Sequence, residues 1–466
     1  MAGVLPSNVS YFMQRLQGVS VSHFKVHPQT DGNQTSGKIV RFELPSNTLL
    51  NLRGTRLFFN AVTAGAGASM PNDVSSFIER CSVYMGGVLV QNGFQGYNVL
   101  KHAKAALQGS KCGSTLGHPE IVRSVSYHNG ATFANTDPET YTTDGTEAFC
   151  IDNWEGLLGT LEPSIVDTGL MPQITLELTL ADDTICPISE GRVIPDGTGV
   201  SSNNFDKTGS GNPTYTLSQM TLQCEVLGMA TSVLDQIVEQ RIASVGYLSM
   251  PFKNYYTFVS THAGTSRFNV NSASWDRLWL AYRPTTYSTK SAPVIVKGYK
   301  KGGFFGDDTA GQTAADIDIG RPQYDIGGVF DTNKERYISN YFKFKEIESS
   351  ASVPAYFQLQ VNSANIPAYR MTTPEAYAMS MNAVDTYDKN HKMTLDQYRN
   401  DFFVQCYRFC LPDSDFNRLA SGLDTRSVSA MGSLTTENIA SCNLMMFAEC
   451  TAELRLGSGR AIEVIA

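Results

Sequence analysis

Apolar and polar residues alternate along many short segments of this chain. Val40, Phe42 and Leu44, for example, are separated by Arg41 and Glu43. The same period of two recurs in residues 174–180, 220–226, 357–361 and 444–456. Successive side chains of a β-strand point to opposite faces, so this period is typical of strands with one buried and one wetter face. Each segment is therefore predicted to be a strand.

The connections between these segments indicate how the strands pair. Gly86 and Gly87 lie between CSVYM and VLVQ, which is the pattern of a tight hairpin. In addition, 39 glycines and 19 prolines are spread among short strands along the whole chain. This pattern favours an all-β protein of antiparallel sandwiches or barrels.

Helical patterns are confined to a few segments. Ser232 and Asp235 suit a capping box at the start of TSVLDQIVEQRI, close to the midpoint of the chain. A second helix is predicted in TPEAYAMSMN, with Pro374 at its first helical position. Thr394 and Gln397 indicate a third, short helix before DFFVQCYRF.

The central helix is the natural domain boundary, because 466 residues suffice for two sandwiches with cores of their own. We predict an N-terminal arm at 1–35, a first domain at 36–228, a linker helix at 229–243 and a second domain at 244–466. Strands entered at Arg56 and Arg277 follow similar segments that contain Pro and Asn. This loose echo is weak evidence for duplication, since sandwiches also share such punctuation by chance.

Three long polar connections interrupt the two halves. Residues 102–150, 183–214 and 284–335 are rich in Gly, Ser, Thr, Asn and Asp, and we predict that they are loops. Loops of this length are uncommon and usually functional. In a sandwich they project from the strand ends, where contact with other molecules occurs.

Composition narrows the possible classes of function. The chain has 36 basic and 44 acidic residues, a net charge of -8, and only 17% charged residues beside 42% apolar ones. The apolar content argues against disorder, and an acidic chain without a basic tail is a poor match for wrapping nucleic acid. The low charge content indicates that much of the surface contacts other protein, since soluble proteins average roughly 25% charged residues.

Neither export nor membrane insertion is expected. The segment MAGVLPSNVSYFMQRLQGV lacks the pattern of a signal peptide, and no eighteen consecutive residues are apolar. The cysteines contain no CxxC pair and are scattered at positions 81, 112, 150, 186, 224, 406, 410, 442 and 450. We interpret them as free, mostly buried thiols of a protein made in a reducing compartment.

Two groups of residues could bind a metal ion, but each has a simpler explanation. His23 and His27 are four residues apart in a segment without helical periodicity, so two solvated histidines are favoured over a zinc site. A calcium ion could be held by the carboxylates of one loop, which are Asp307, Asp308, Asp316 and Asp318. Their spacing matches no EF-hand loop, and a solvated acidic loop is favoured.

No motif indicates catalysis. KGYKK at 297–301 could bind phosphate, but salt pairing within its loop is the favoured explanation. GAGAS at 65–69 lacks the remaining parts of a phosphate loop. Cys406 and Cys410 are predicted to lie on the same face of one strand, about 13 Å apart, which is too distant for a disulfide. We therefore predict no catalytic, cofactor-binding or metal-binding residues, and a protein that is not an enzyme.

Several segments resemble one known family, in the right order over nearly the whole chain. In the first half these are RFELPSNTLLNLRGTRLFF, FIERCSVYMGGVLVQ, GLMPQITLELTLADD and LSQMTLQCEVLGM. In the second half they are VGYLSMPFKNYYTF, SWDRLWLAYRP, SANIPAYRMTTPEAY and SGLDTR. They resemble the double jelly-roll major capsid proteins of eukaryotic double-stranded DNA viruses, particularly polinton-like viruses and virophages.

This resemblance implies two tandem eight-stranded jelly rolls. It also implies a homotrimer that forms a pseudo-hexagonal capsomer, which tiles an icosahedral virion shell assembled inside the host cell. The implied partners are neighbouring capsomers, minor capsid and penton proteins, and an internal membrane, with no cofactor and no direct contact with nucleic acid. The N-terminal arm, with Tyr11, Phe12 and Leu16, would lie under the capsomer and contact a neighbour, the membrane or a minor capsid protein, or it would pack beneath its own jelly roll.

Two other functions stay open. A carbohydrate-binding adhesin of tandem sandwiches would also be acidic and rich in loops, but an export signal would be expected. A sandwich glycosidase would need two close carboxylates in a cleft, and sequence alone does not show which acids approach each other.

Overall fold

The chain forms many short strands, in agreement with the alternating pattern. The computed structural model describes residues 20–30, 32–64, 71, 73–108, 147–186, 214–228, 240, 242–288, 294–295, 337–338, 340–342, 344–346, 353–384, 395–400, 403–411, 422–426 and 430–465. The strands of the first half are β1 (Ser20–Val26), β2 (Gln34–Thr35), β3 (Ile39–Glu43), β4 (Leu49–Ala64), β5 (Ile78–Met85), β6 (Val88–Gln95), β7 (Glu147–Ile151), β8 (Ile165–Asp167), β9 (Ile174–Leu180) and β10 (Thr214–Gly228). Those of the second half are β11 (Tyr247–His262), β12 (Thr265–Val270), β13 (Trp275–Arg283), β14 (Val294–Ile295), β15 (Tyr337–Ile338), β16 (Tyr356–Val361), β17 (Ala364–Thr372), β18 (Val404–Arg408), β19 (Ala430–Glu437), β20 (Cys442–Gly457) and β21 (Ile462–Ile465).

Short helices connect some of these strands. The α-helices are α1 (Tyr97–Gln108), α2 (Leu157–Thr160), α3 (Thr373–Ala383) and α4 (Leu395–Asn400). Single 3₁₀ turns lie at Val74–Phe77, Asp183–Ile185, Asn340–Phe342 and Ser458–Arg460.

Each half of the chain forms two antiparallel sheets. The first half has the strand orders β1-β10-β4-β7 and β3-β9-β5-β6, with β2 and β8 added beside β10 and β4. The second half has the orders β11-β20-β13-β18 and β12-β19-β16-β17, with β21 beside β20 and a separate pair of β14 and β15. We call these two units the first and the second sandwich. The predicted all-β class of antiparallel sandwiches is confirmed.

The register of the strands follows the alternation in the sequence. On β3, Val40 and Phe42 lie opposite Leu178 and Leu176 of β9, and all four side chains are buried. Full burial of one such side chain stabilises the fold by about 1.5–3 kcal/mol. The pairing of β3 with β9 therefore buries the side chains that the sequence alternation predicts to be buried.

Two strands of the second sandwich depart from the alternating pattern. β13 is buried along its whole length, and the middle of β20 is buried on both faces. The alternation placed Glu449 of β20 on a wetter face, and this was wrong, because the first sandwich covers that part of the second.

The helix predictions have mixed outcomes. The helix predicted at Pro374 is confirmed as α3, although it begins one residue earlier, after a capping box between Thr372 and Glu375. The third predicted helix is confirmed as α4, which begins at Leu395. Most of the predicted linker helix lies outside the described residues, although residues 242–245 are helical. The domain boundaries stay a prediction.

The loop prediction for 102–150 was wrong at both ends of that range. Residues 102–108 belong to α1, and residues 147–150 belong to β7. The apolar positions of α1 include Val99, Leu100 and Leu107, which are all buried. The middle of the range lies outside the described residues.

The two sandwiches repeat one topology. In each, the first strand pairs with a long strand near the C-terminal end of the sandwich, and that long strand pairs on its other side with a third strand. In this way β1, β10 and β4 correspond to β11, β20 and β13. The strands of the other sheets correspond in the same way, so that β5 and β6 match β16 and β17. The strands entered at Arg56 and Arg277 are therefore counterparts, β4 and β13. The segments that precede them in the echo do not match in this way, because residues 41–43 lie on β3, the counterpart of β12, whereas residues 247–262 form β11.

Candidate functional site

The contact between the two sandwiches is rich in hydrogen bonds and charged side chains. Its backbone part runs along the outer edge of β11. The amide of Glu162 donates a hydrogen bond to the carbonyl of Pro251 (3.0 Å), and the amide of Lys253 donates to Thr160 Oγ1 (2.9 Å). The first sandwich thus satisfies edge groups that a terminal strand leaves open.

Beside this edge, the backbone of the first sandwich closely approaches side chains of the second. Gly96, between β6 and α1, has a φ of +79°, and a Cβ there would lie 2.4 Å from Met445 Cε and 3.5 Å from Phe447 Cζ of β20. Only glycine combines this backbone conformation with so little volume. The end of β6 can therefore pack directly onto the second sandwich.

Lys104 of α1 carries a positive charge into the contact. Its Nζ lies 2.7 Å from Glu155 Oε2 and donates to the Tyr255 hydroxyl at 2.9 Å. The same nitrogen lies 5.2 Å from the centroid of the Tyr255 ring and 5.9 Å from that of Trp279. Because Tyr255 and Trp279 belong to the second sandwich, this lysine binds one sandwich to the other through its charge and its aromatic neighbours.

Glu449 supplies the opposite charge from the second sandwich. Its carboxylate accepts hydrogen bonds from Arg277 Nη1 (3.0 Å) and Trp279 Nε1 (2.9 Å). Arg277 and Glu449 lie directly opposite each other on β13 and β20, and only 3% of Glu449 is exposed. A carboxylate buried this deeply stays charged only when it is paired and hydrogen-bonded.

The charges of this cluster hold each other ionised. Burial by itself raises the pKa of Glu449, but Lys104, Arg277 and Lys253 outweigh it and lower that pKa to about 2. Burial likewise opposes the charge of Lys104, yet Glu155 and Glu449 raise its pKa above the usual range. We call Lys104, Glu155, Arg277 and Glu449 the inter-sandwich charge cluster.

A histidine of α1 makes a second contact between the sandwiches. The ring of His102 stacks on that of Phe342, with centroids 3.9 Å apart, and its Nε2 lies 2.8 Å from Ser76 Oγ. Burial lowers the pKa of His102, against the opposing effect of Asp73. The neutral imidazole is therefore the form that the folded protein favours.

A cavity of about 350 Å³ lies at the joint between the sandwiches. Arg283, Glu79 and Asp182 line it. The guanidinium of Arg283 is held between the rings of Tyr287 and Tyr341, 4.0 and 4.8 Å from their centroids. Burial and the charge of Asp182 raise the pKa of Glu79, while Arg283 lowers it. Sequence reasoning selected none of these residues.

The candidate residues chosen from the sequence do not come together. His23 lies exposed on β1 and His27 lies exposed just after it. Cys406 is buried on β18, but the prediction that Cys410 lies on the same strand was wrong, because β18 ends at Arg408 and Cys410 is partly buried beyond it. Within the described ranges, no three His, Cys, Asp or Glu side chains are grouped so that they could hold a metal ion.

The remaining candidates lie outside the described residues. These are Asp307, Asp308, Asp316 and Asp318, the basic segment 297–301, the glycine-rich segment 65–69, and Tyr11, Phe12 and Leu16 of the N-terminal arm. The eight described cysteines are free, and all but Cys410 are buried. Burial raises the pKa of the Cys81, Cys224 and Cys442 thiols to about 12, which keeps them neutral and unreactive. Among the described helices, none is long and apolar enough to cross a bilayer.

Sequence reasoning also missed the inter-sandwich charge cluster, although two of its members leave a signal. Arg277 and Glu449 are ionisable residues of opposite sign within otherwise apolar strands, WDRLWLAY and LMMFAEC. Such residues are rarely buried unless they are paired. Lys104 and Glu155 leave no comparable signal, because both lie in segments of mixed polarity.

Comparison with known proteins gives matches in structure only. No protein-family model matches the chain, and no curated protein matches it in sequence. The structure is similar to a quasi-atomic model of the PBCV-1 virus capsid, with a TM-score of 0.55, 12% identity, and coverage of 96% of this chain and 97% of that one. It is also similar to PBCV-1 VP54 fitted into a reconstruction of the virophage Sputnik, with a TM-score of 0.53, 10% identity, and coverage of 97% and 98%. The fold of this chain is therefore the double jelly roll of these viral capsid proteins.

Proposed function

We propose that this protein is the major capsid protein of a double-stranded DNA virus. The observation that carries the proposal is the match over the full length of both chains, since 97% of this chain aligns with 98% of PBCV-1 VP54. A single shared sandwich would say little, because many unrelated functions use that architecture. Two sandwiches in one order and one relative placement are a much more specific likeness.

The assembly that we propose is a homotrimer with a pseudo-hexagonal outline. The duplicated topology supports it, because three copies of a chain with two equivalent sandwiches present six similar units around one axis. Such trimers would tile an icosahedral shell in the virion, beside minor capsid and penton proteins and above an internal membrane. The low charged content of 17% fits a surface that largely meets other copies of the protein.

A structural role needs no catalytic centre, and we propose that the protein is not an enzyme. The cavity that contains Glu79 and Asp182 is the place where a glycosidase would act, if the protein were one. A panel of chromogenic glycosides tests this directly: we expect no turnover, and turnover that Glu79→Gln abolishes would refute the structural role.

Electron microscopy tests the capsid proposal. Concentrated purified protein, imaged in negative stain, should show particles of hexagonal outline that pack into flat arrays. Isolated particles with two lobes at all concentrations would instead favour the adhesin, and a glycan array would then be the next experiment.

A further inference from the structure

A short turn of the second sandwich reaches across to the first. This turn, Asn340–Phe342, lies between β15 and β16 and packs against the turn Asp183–Ile185 of the first sandwich. The chain is fixed to its own sandwich shortly afterwards, because the buried carboxylate of Glu346 accepts a hydrogen bond from Arg399 Nε at 2.7 Å. We call Asn340–Phe342 the strap, since it is anchored on one sandwich and touches the other.

Aromatic rings hold the strap in place. Phe342 is 3% exposed, and its ring stacks on that of His102 of α1, with centroids 3.9 Å apart and planes 22° from parallel. The ring of Tyr341 lies edge-on to Phe342, with centroids 5.1 Å apart, and it covers the guanidinium of Arg283 of β13. His102 is thus the ring of the first sandwich on which the strap rests.

A proton on His102 opposes this contact. The ring is stacked on an apolar side chain that is almost fully buried, and its Nε2 lies 2.8 Å from the hydroxyl of Ser76, so neither of these neighbours carries a negative charge. Burial lowers the pKa of His102, Asp73 opposes that effect, and Lys101 adds to it. The attraction between a charged imidazole and an aromatic face, about 0.5–2 kcal/mol, offsets only part of the cost of burying a cation.

The cavity at the joint gives solvent a route to the strap. Tyr341 of the strap lines that cavity, and so does Val259, which is 50% exposed, so the cavity reaches the surface. A space of about 350 Å³ with polar walls is large enough for water molecules. Of the charged groups around it, Glu79 acts against release in acid, because burial and Asp182 raise its pKa and its protonation therefore favours the closed joint. Arg283 stays charged throughout the range in which a histidine titrates.

We propose that the strap is an acid-released latch between the two sandwiches, closed over the neutral ring of His102 and opened when that ring takes up a proton. The pKa of the ring is about 6.5 when the latch is open and lower when it is closed, so the closed latch is favoured above pH 6.5 and loses its advantage as the pH falls. Opening removes one of the contacts that fix the relative placement of the sandwiches. The latch goes beyond the proposed function, because it operates within a single chain.

Hydrogen–deuterium exchange tests the latch. Protection of the peptide that contains the strap, relative to the unfolded peptide at the same pH, should fall by about tenfold or more between pH 8 and pH 5, while peptides from β3 and β9 stay protected. His102→Gln keeps an amide for Ser76 but takes up no proton, so its protection should not change with pH. The control is His262→Gln, which removes a buried histidine bonded to Ser266 and Thr436 of the second sandwich and should show the wild-type fall.

A second variant distinguishes a proton-operated latch from a merely structural contact. Asp73→Asn still accepts the hydrogen bond from the Ser75 amide, but it removes the carboxylate that supports the charged form of His102 in the closed latch. Its fall in protection on acidification should therefore be larger than that of wild type. Wild-type protection that is constant with pH, or an equal fall in His102→Gln, would overturn the latch and leave the capsid proposal standing. Melting temperatures at pH 8 establish that each variant is folded.

Discussion

Lys104 illustrates how one buried charge can join two domains. It extends from α1 in the first sandwich, pairs with Glu155 of the same sandwich, and lies beside Tyr255 and Trp279 of the other. Burying a charge is costly, and its partners only offset that cost when all of them are present. The charge cluster therefore favours one relative placement of the two sandwiches over others.

Removing this lysine should be strongly destabilising. Lys104→Met leaves Glu155 and Glu449 in the contact without their shared cation, and we expect a loss of about 3 kcal/mol in the free energy of unfolding. Chemical denaturation measures it. Lys38→Met, at an exposed lysine, is the control and should change stability by less than about 0.5 kcal/mol. Equal effects of the two substitutions would contradict a role for the cluster.

The low pKa of Glu449 predicts how its contribution depends on pH. Its pKa in the folded protein, about 2, is below the usual 4.5, so the unfolded chain binds the proton more readily. The stabilisation is therefore complete above pH 4.5 and is lost as the pH falls towards 2. We expect Glu449→Gln to be less stable than wild type by a constant amount from pH 7 to pH 5, and by a shrinking amount below that. A difference that grows on acidification would contradict this assignment.

His102 should make the contact sensitive to milder acid. Its pKa is lowered in the folded protein, so unfolding takes up a proton once the pH falls below the ordinary value of about 6.5. The contribution of His102 to the free energy of unfolding is therefore fully present at high pH and declines as the pH falls below 6.5. Melting temperatures of wild type and His102→Gln, measured between pH 8 and pH 5, should converge as the pH falls. Parallel curves would exclude this role for His102.

Among the elements, the short connection between β6 and α1 is where the backbone of the first sandwich packs directly against the second. Gly96→Ala adds a methyl group at a positive φ and at a point where Met445 leaves little space, so we expect a loss of about 1–2 kcal/mol. Gly87→Ala is the matched control, because Gly87 has a φ of +83° with no atom within 4 Å of an added Cβ. Both substitutions add a side chain at a positive φ, so the difference between the two losses of stability measures the crowding by Met445 alone. Equal losses at both glycines would show that Met445 moves aside without cost.

The predictability of each element depended on what covers it. β3, β9 and β10 have one face on their own core, and their alternation in sequence was sufficient to predict them. α1 was missed, because Lys101, His102 and Lys104 interrupt the apolar pattern of its sequence. Their polar groups are satisfied by residues distant in the chain, which are Asn153, Ser76 and Glu155, and no local pattern reveals that arrangement.

At the scale of the whole molecule, the resemblance of strand segments predicted the double jelly roll, and the structural comparison confirms that fold. The contact between the sandwiches was not predictable as a whole, because it joins residues that are distant in the chain, such as Lys104 and Tyr255. Arg277 and Glu449 alone signalled it in the sequence, as opposite charges in apolar strands.

The mass of the purified protein in solution tests the central claim most directly. Light scattering of the wild-type chain should give about 153 kDa, corresponding to a trimer of 50.9 kDa subunits, over the micromolar range of concentration. A stable species of 50.9 kDa throughout that range would contradict the capsomer and, with it, the proposed role as a major capsid protein.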